Sequence, residues 1–341
     1  MKSSAPGKII LFGEHAVVYG RPALAVPVTQ VHAEVEVTDS SRAGIWINAP
    51  DIDLRAELNT LPSDHPIASV IHNFLFIVSR PNPSPTRAER SDSGDEAGRG
   101  ARGEGRFPNL DVKITSTIPV ASGLGSGAAV TVALTRALST YLNHSMTNEE
   151  VNAFAYEIEK LHHGTPSGID NTVVTYAKPV YFIKRLPSPD RRGAGGEVET
   201  FKVGAPFTIV IGDTGVSAPT KESVADVRKL WEADKAKWES VFDKVGEIAK
   251  NARKRIETGD LESLGELMNQ NHALLQEMTV SSPELDKLVS AARNAGALGS
   301  KLSGGGRGGN MIALVEKESA SAIANALLSA GAKQTIITTI D

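Results

Sequence analysis

The chain has 341 residues, 40% hydrophobic and 22% charged, with a formal net charge of -4. That balance describes a soluble globular enzyme with room for two cores, and the acidic excess argues against a nucleic-acid partner. Cysteine is absent, which excludes disulfides, thiolate metal sites and a cysteine nucleophile; with no signal-peptide h-region and no run near the roughly 18 apolar residues of a membrane span, the expectation is a cytoplasmic protein.

In chain order, Lys8–Phe12, Ala23–Val26, Val31–Val37 and Ile45–Ile47 are short, β-branched and bounded by turn residues, and read as strands. Pro66–Val78 reads as a helix, with Ile67, Val70, Ile71, Phe74 and Ile77 at helical spacing. Arg80–Arg106 has no aliphatic residue larger than alanine and is dense in Pro, Ser, Gly and mixed charge. Such a stretch cannot bury enough apolar surface to offset its ordering entropy, so it reads as a disordered surface insertion. A strand at Asn109–Thr115 then feeds a glycine-rich run, Ser122–Ala129. Helices are expected over Ser126–Leu142, over Asn148–His162 with a capped start at Thr147-Asn148-Glu149-Glu150, and over Ile169–Tyr176. A strand at Pro179–Lys184 precedes Leu186–Glu197, whose Pro, Gly and charge mark a lobe boundary. The second half reads strand (Phe207–Ile211), long polar helices over Thr220–Glu257 and Leu261–Met278, and a helix opened by Ser282-Pro283-Glu284. A strand, a second glycine loop (Gly304–Gly309), a strand (Met311–Val315), a helix (Ala320–Leu328) and a strand (Gln334–Thr339) close the chain. Mixed elements without regular βαβ alternation point to α+β in two lobes, residues 1–185 and 200–341.

Glycine at this density is kept where backbone must approach something closely or adopt positive φ. Ser122–Ala129 lies between a strand and a helix N-terminus, where bare N–H groups suit phosphate; a pair of tight turns is the alternative. Neither Walker A nor Rossmann spacing is present. Phosphoryl transfer would also need a magnesium ligand, a carboxylate for the hydroxyl and a cation. Glu159, Asp170 and Lys8 stand as candidates, each open to the alternative of a solvated surface charge. Gly13-Glu14-His15 interrupts an apolar stretch and is either a turn to solvent or the polar lining of a pocket. His162-His163 is no metal pair, since adjacent helical residues diverge by about 100°.

These residues converge on a family. Ser4–Gly20 (SAPGKIILFGEHAVVYG), Pro119–Ala129 (PVASGLGSGAA) and Lys301–Asn310 (KLSGGGRGGN) resemble the three motifs of the GHMP small-molecule kinases. His163–Asn171 (HGTPSGIDN) and Ile211–Gly215 with Thr220-Lys221-Glu222 resemble the mevalonate kinase branch, in its archaeal and bacterial form. The resemblance implies an N-terminal lobe of the ribosomal protein S5 domain 2 type and a C-terminal ferredoxin-like lobe. ATP would bind in the cleft, and its γ-phosphate would pass to the C5 hydroxyl of mevalonate.

Carried over by position, the resemblance makes Asp170 the general base and Lys8 the cation beside it. The phosphate loop is Pro119, Val120, Ala121, Ser122, Gly123, Leu124, Gly125, Ser126, Gly127, Ala128 and Ala129. Glu159 and Ser126 would serve magnesium; Glu14, His15 and Thr214 would line the substrate pocket. The implied partners are mevalonate and Mg-ATP, with neither nucleic acid nor membrane, and a homodimer is left open. Two departures stand out. Gly127 replaces the family's second loop serine, a magnesium ligand, while Arg307 and Asn310 alter the third motif. Another GHMP kinase acting on a related hydroxy acid or sugar, and a ligand sensor that has lost turnover, are the competing readings.

Overall fold

One strand organises the N-terminal half. β2 (Pro22–Asp39) follows β1 (Lys2–Phe12) and pairs with it antiparallel along one edge. On its other edge β2 meets β5 (Leu110–Ser116) through residues 33–39 and β6 (Val180–Lys184) through residues 22–25. β3 (Ile45–Ala49), β4 (Leu54–Glu57) and β7 (Gly196–Thr200) complete a seven-stranded sheet of order β4-β3-β5-β2-β6-β7, with β1 against β2. The computed structural model describes residues 1–79, 108–119, 123–163, 166–184 and 196–341. Expectations placed on Arg80–Arg106, on Val120, Ala121 and Ser122, on Gly164-Thr165 and on residues 186–195 lie outside the described residues.

The sequence suggested two strands where β2 is one, because Pro27, Thr29 and Gln30 look like a turn. The chain instead runs straight through, while the register against β1 jumps between Pro6 and Gly7, whose partners are His32 and Val28. Thr29 and Gln30 lie exposed on this irregularity. Such bulges bend a strand and re-aim side chains, and this one immediately precedes Lys8.

Four helices follow: α1 (Pro66–Ser79), α2 (Ser126–Tyr141), α3 (Asn148–His163) and α4 (Ile169–Tyr176). The apolar stripe of α1 is as expected at Ile67, Val70, Ile71 and Phe74, but Ile77 is exposed and Leu75 is buried in its place. α3 starts with a reciprocal capping box: Glu150 N–H donates to Thr147 Oγ1 and Thr147 N–H to Glu150 Oε2, at 3.2 and 2.7 Å. β7 falls at the expected lobe boundary yet pairs with β6, so the first sheet ends at Thr200.

The second sheet is fully antiparallel, of order β11-β8-β10-β9, built from β8 (Phe207–Asp213), β9 (Gly299–Ser303), β10 (Asn310–Val315) and β11 (Gln334–Ile340). Around it lie α5 (Thr220–Ala233), α6 (Lys235–Thr258), α7 (Leu261–Glu277), α8 (Pro283–Asn294) and α9 (Ala320–Ser329). The two central strands are buried on both faces, which is why they read as unbroken apolar runs. Phe207, Ile209, Ile211, Ile312 and Leu314 face one core; Val210, Met311, Ala313 and Val315 face another. The first of these cores also holds Phe12, Leu24 and Val35 of the N-terminal sheet and Ile248, Ala252 and Met268 of α6 and α7. The two α+β lobes therefore share one continuous core. Among the described residues, no helix is long and apolar enough to cross a membrane.

Candidate active site

Lys8 follows the register shift at Pro6-Gly7, opposite the bulge of β2, and is almost completely buried. Its N–H donates to Leu124 O at 2.9 Å, tying the strand to the glycine loop. Its stem then crosses Gly125, where any Cβ would lie 2.8 Å from Lys8 Cγ and where φ is +77°. Glycine is thus required at Gly125 twice over, for space and for conformation. The Lys8 ammonium ends 3.0 Å from Asp170 Oδ2. Asp170 occupies the first turn of α4, just after Gly168 at φ +89°, where the chain turns sharply into the helix.

Glu159 approaches the same point from α3. Burial, and after it the Asp170 charge, push Glu159 up to about 8, with Lys8 opposing. Across from them, α2 starts at Gly125 with no side-chain cap, so the first-turn N–H groups of Ser126, Gly127 and Ala128 have no intrahelical partner and retain their affinity for an anion. A Cβ at Gly123 or Gly127 would meet nothing within 4 Å, so the loop surface is open. Ala128 and Ala129 turn their methyl groups into the core and offer only backbone. Lys8, Asp170, Glu159 and the Gly123–Ala129 loop are thus brought together, with Pro119 at the end of the preceding described stretch.

The donor set fits magnesium. Among the described residues no cluster of three His, Cys, Asp or Glu side chains could cage a metal, and Mg²⁺ ordinarily takes one or two carboxylates plus phosphate oxygens and water. Glu159, raised by burial and a like charge, is a carboxylate that a nearby cation would return to its ionised form.

The other expected residues lie where the lobes meet. Glu14 is buried, with Lys301 donating to its Oε1 and Asn271 Nδ2 donating to its Oε2 at 3.2 Å. Lys301 is wholly buried; it also donates to Leu302 O at 2.6 Å and sits 5.9 Å from the centre of the Phe12 ring. His15 adopts a positive φ of 61°, and its Nε2 lies 3.1 Å from Gly305 O in the second glycine loop. Burial, partly offset by that bond and reinforced by Arg307, lowers His15 to about 4. It is a neutral ring that donates from Nε2. The Thr214 hydroxyl donates to Gly309 O at 2.9 Å and accepts from Val216 N–H at 3.2 Å, so it shapes the loop wall. Arg307 pairs with Asp226 on α5 at 2.6 Å and holds a positive φ of 60°. Lys301 stood within a motif legible in sequence; Asn271 and Asp226 carried no sequence signal for their parts.

Two outcomes follow from this geometry. Lys301→Met strands a buried carboxylate and is expected to cost about 3–5 kcal/mol, whereas pairing it with Glu14→Leu should recover most of the loss; urea unfolding of both variants measures this. His272 is also lowered to about 4, chiefly by burial, with Arg293 and Lys301 adding and Asp286 opposing. Its Nδ1 accepts from Leu302 N–H at 3.3 Å, a bond that protonation at Nδ1 would break. Because both histidines protonate more readily unfolded, their contribution to stability should be constant above about pH 6.5 and fall between 6.5 and 4, while Glu159, raised to about 8 in the fold, contributes with the opposite sign between about 4.5 and 8. The expected slope is about 1.4 kcal/mol per pH unit for each histidine. His272→Gln should shallow that slope in denaturation midpoints measured across this range.

Comparison with known proteins bears on the same cleft. Residues 95–178 match the GHMP kinases N terminal domain and residues 249–333 the GHMP kinases C terminal domain. The mevalonate kinase of Thermococcus gammatolerans is 38% identical over 341 residues, spanning 96% of this chain and 93% of that one. That of Saccharolobus solfataricus is 30% identical, spanning 93% and 91%. L. major mevalonate kinase, solved in complex with R-mevalonate, superposes with a TM-score of 0.79 at 28% identity, covering 100% of this chain and 96% of that one. Streptococcus pneumoniae phosphomevalonate kinase superposes at 0.76 with 17% identity, a likeness of fold alone, and covers 99% of each chain.

Proposed function

The chain belongs to the mevalonate kinases of the GHMP family, and on that premise we propose that it moves the γ-phosphate of ATP to the C5 hydroxyl of mevalonate with Asp170 as base and Lys8 as its cationic partner. The observation that carries this reading is the 3.0 Å Lys8–Asp170 pair set opposite an uncapped helix N-terminus. Phosphoryl transfer asks little covalent chemistry of a protein and depends on positioning and charge. Asp170 accepts the proton of the attacking hydroxyl. Lys8, buried beside it, stabilises the alkoxide as it forms and the charge growing on the transferred group. The first-turn N–H groups of α2 hold the nucleotide phosphates. Glu159, with Ser126, would hold magnesium, which neutralises phosphate charge when bound.

Glu14 and Thr214 support the substrate pocket from behind, since their polar atoms are engaged within the protein. His15 contributes a neutral ring at the pocket rim. Of the cations near Thr214 in the second lobe, Arg307 is committed to Asp226, while the stem of Lys333 packs against Gly215. The preference for mevalonate over its phosphorylated product rests on the likeness to mevalonate kinases.

ADP release from Mg-ATP, coupled to NADH oxidation, tests the substrate with mevalonate, phosphomevalonate, homoserine and galactose side by side. Turnover with mevalonate alone is expected, and turnover with another substrate only would overturn the reading. Asp170→Asn should cut kcat by about 10²–10⁴-fold while leaving ATP binding, read by calorimetry, within a few-fold. Full activity in that variant would remove Asp170 as base. Gly127→Ser places a hydroxyl where there is open space; the magnesium concentration giving half-maximal rate should fall several-fold, with a stability gain of about 0.5 kcal/mol from helix propensity.

A further inference from the structure

Arg307 is the one residue of the second loop, Gly304–Gly309, that is not glycine. It nonetheless holds φ +60°, in a stretch where Gly304, Gly306, Gly308 and Gly309 also have positive φ. A β-carbon is disfavoured in that conformation, so the side chain has to offset a backbone cost that glycine would avoid. The guanidinium reaches two elements at once. Its Nη1 donates to Asp226 Oδ2 on α5 at 2.6 Å, and its Nε donates to Thr279 O in the turn after α7 at 3.4 Å. The backbone there is already close. Arg307 N–H donates to Val280 O at 2.7 Å, and a Cβ at Gly306 would stand 1.9 Å from that same oxygen. Gly309 N–H donates to Val216 O at 2.8 Å, and a Cβ at Gly305 would stand 2.8 Å from Thr220 Oγ1 at the start of α5. The loop is thus seated against Val216, Thr220 and Thr279-Val280, and Arg307 is the side chain that fastens it to α5.

The same loop carries the contacts of two residues assigned to the substrate pocket. Gly305 O lies 3.1 Å from His15 Nε2, and Gly309 O accepts from the Thr214 hydroxyl at 2.9 Å. His15 comes from the N-terminal lobe, so any drift of the loop carries its acceptor away from the ring. The Asp226 carboxylate is divided between two cations, with Oδ1 taking Lys229 at 2.7 Å and Oδ2 left for Arg307. Arg307 and Asp226 are 33% and 37% exposed, so water screens the pair only in part. We propose that Arg307 is a positioning residue for the substrate: by tying the second glycine loop to Asp226 and to Thr279 O, it fixes Gly305 O and, through it, the His15 ring at the pocket wall. Among the described residues Lys8, Glu159 and Asp170 make no bond to this loop. Loss of the tie therefore weakens substrate binding and leaves the chemical step alone. The identity of that substrate rests on the mevalonate kinase reading above.

The test compares Arg307→Gly, which suits the backbone conformation of the loop, with Asp226→Ala and with the double variant. With mevalonate and Mg-ATP, each single change should raise KM for mevalonate about three- to tenfold, while kcat and KM for ATP stay within about twofold. The double variant should be no worse than either single one, because both remove the same contact. Lys229→Ala, which leaves Arg307 its oxygen, should not alter KM. A second measurement needs no substrate. In ligand-free protein labelled with ¹⁵N-histidine, the His15 Nε2–H, assigned by its loss in His15→Gln, should exchange slowly with water and become fast in both single variants. Inactivity of the unaltered protein toward mevalonate would count against the reaction assigned above, and the ring-proton exchange would still decide the role of Arg307. An unchanged KM, losses that add in the double variant, or unaltered exchange of the His15 proton would overturn the proposal. So would a fall in kcat at constant KM, which would put the guanidinium on the transferring phosphate instead.

Discussion

The buried pair between Glu14 and Lys301 is the constraint on which the rest of this cleft depends. Neither side chain has access to water, and the two residues lie 287 positions apart. Each charge is tolerable only because the other is present, with Asn271 satisfying the second carboxylate oxygen. The pair joins the end of β1 to β9, at the place where His15 meets Gly305 and Ser303 Oγ donates to Ile10 O at 2.8 Å. An apolar pair could hold the lobes as firmly, but its attraction is non-directional. A charged pair with a fixed hydrogen-bond pattern admits one register of the second glycine loop against the Gly13–His15 turn.

That register matters because the cleft is assembled from backbone as much as from side chains. The N-terminus of α2 is left uncapped, Gly125 admits the stem of Lys8, and Gly7 lets β1 come close to the loop at Leu124. A Cβ at Gly7 would stand 2.9 Å from Val31 Cγ2 and 3.3 Å from Leu124 O. The approach of the two chains is thus limited by glycine at both contact points. The unpaired N–H groups and the Lys8–Asp170–Glu159 cluster are costly without a ligand, the one with donors unmet and the other with two carboxylates competing for one ammonium. Local instability of this kind, held in place by the shared core, is what a site for phosphate and a divalent cation requires.

Much of this was legible in the chain. Helix starts at Thr147 and Ser282 carry their caps within three residues, and strands such as β5 alternate inward and outward over a few positions. The glycine loops and the stretch around Asp170 are contiguous, so they could be picked out from residue type and order, and their resemblance to the family's motifs gave them roles. Other features misled. The alternation of β2 breaks at Thr29 and Gln30 because β2 carries extra residues between Val28 and His32, opposite consecutive Pro6 and Gly7 of β1, and these two lie exposed, which in sequence looks like a turn. Ile77 fits the helical stripe of α1 yet is exposed, because helical spacing fixes an angle about the axis and not what stands opposite it.

The sequence by itself determined most of the elements and the two-lobed class, and it picked out the glycine loops and Lys8, Glu159 and Asp170 as candidates, because each depends on interactions among near neighbours along the chain. Only the tertiary structure decided what those residues face. It set Lys8 against Asp170, turned Glu14 inward to Lys301, spent the Thr214 hydroxyl on Gly309, drew Arg307 to Asp226, and left Asn171 Oδ1 of α4 buried without a partner. Partners so far apart in sequence are chosen by topology and burial, since the energy of a charge or a polar atom is set by whatever the fold brings within a few ångströms of it.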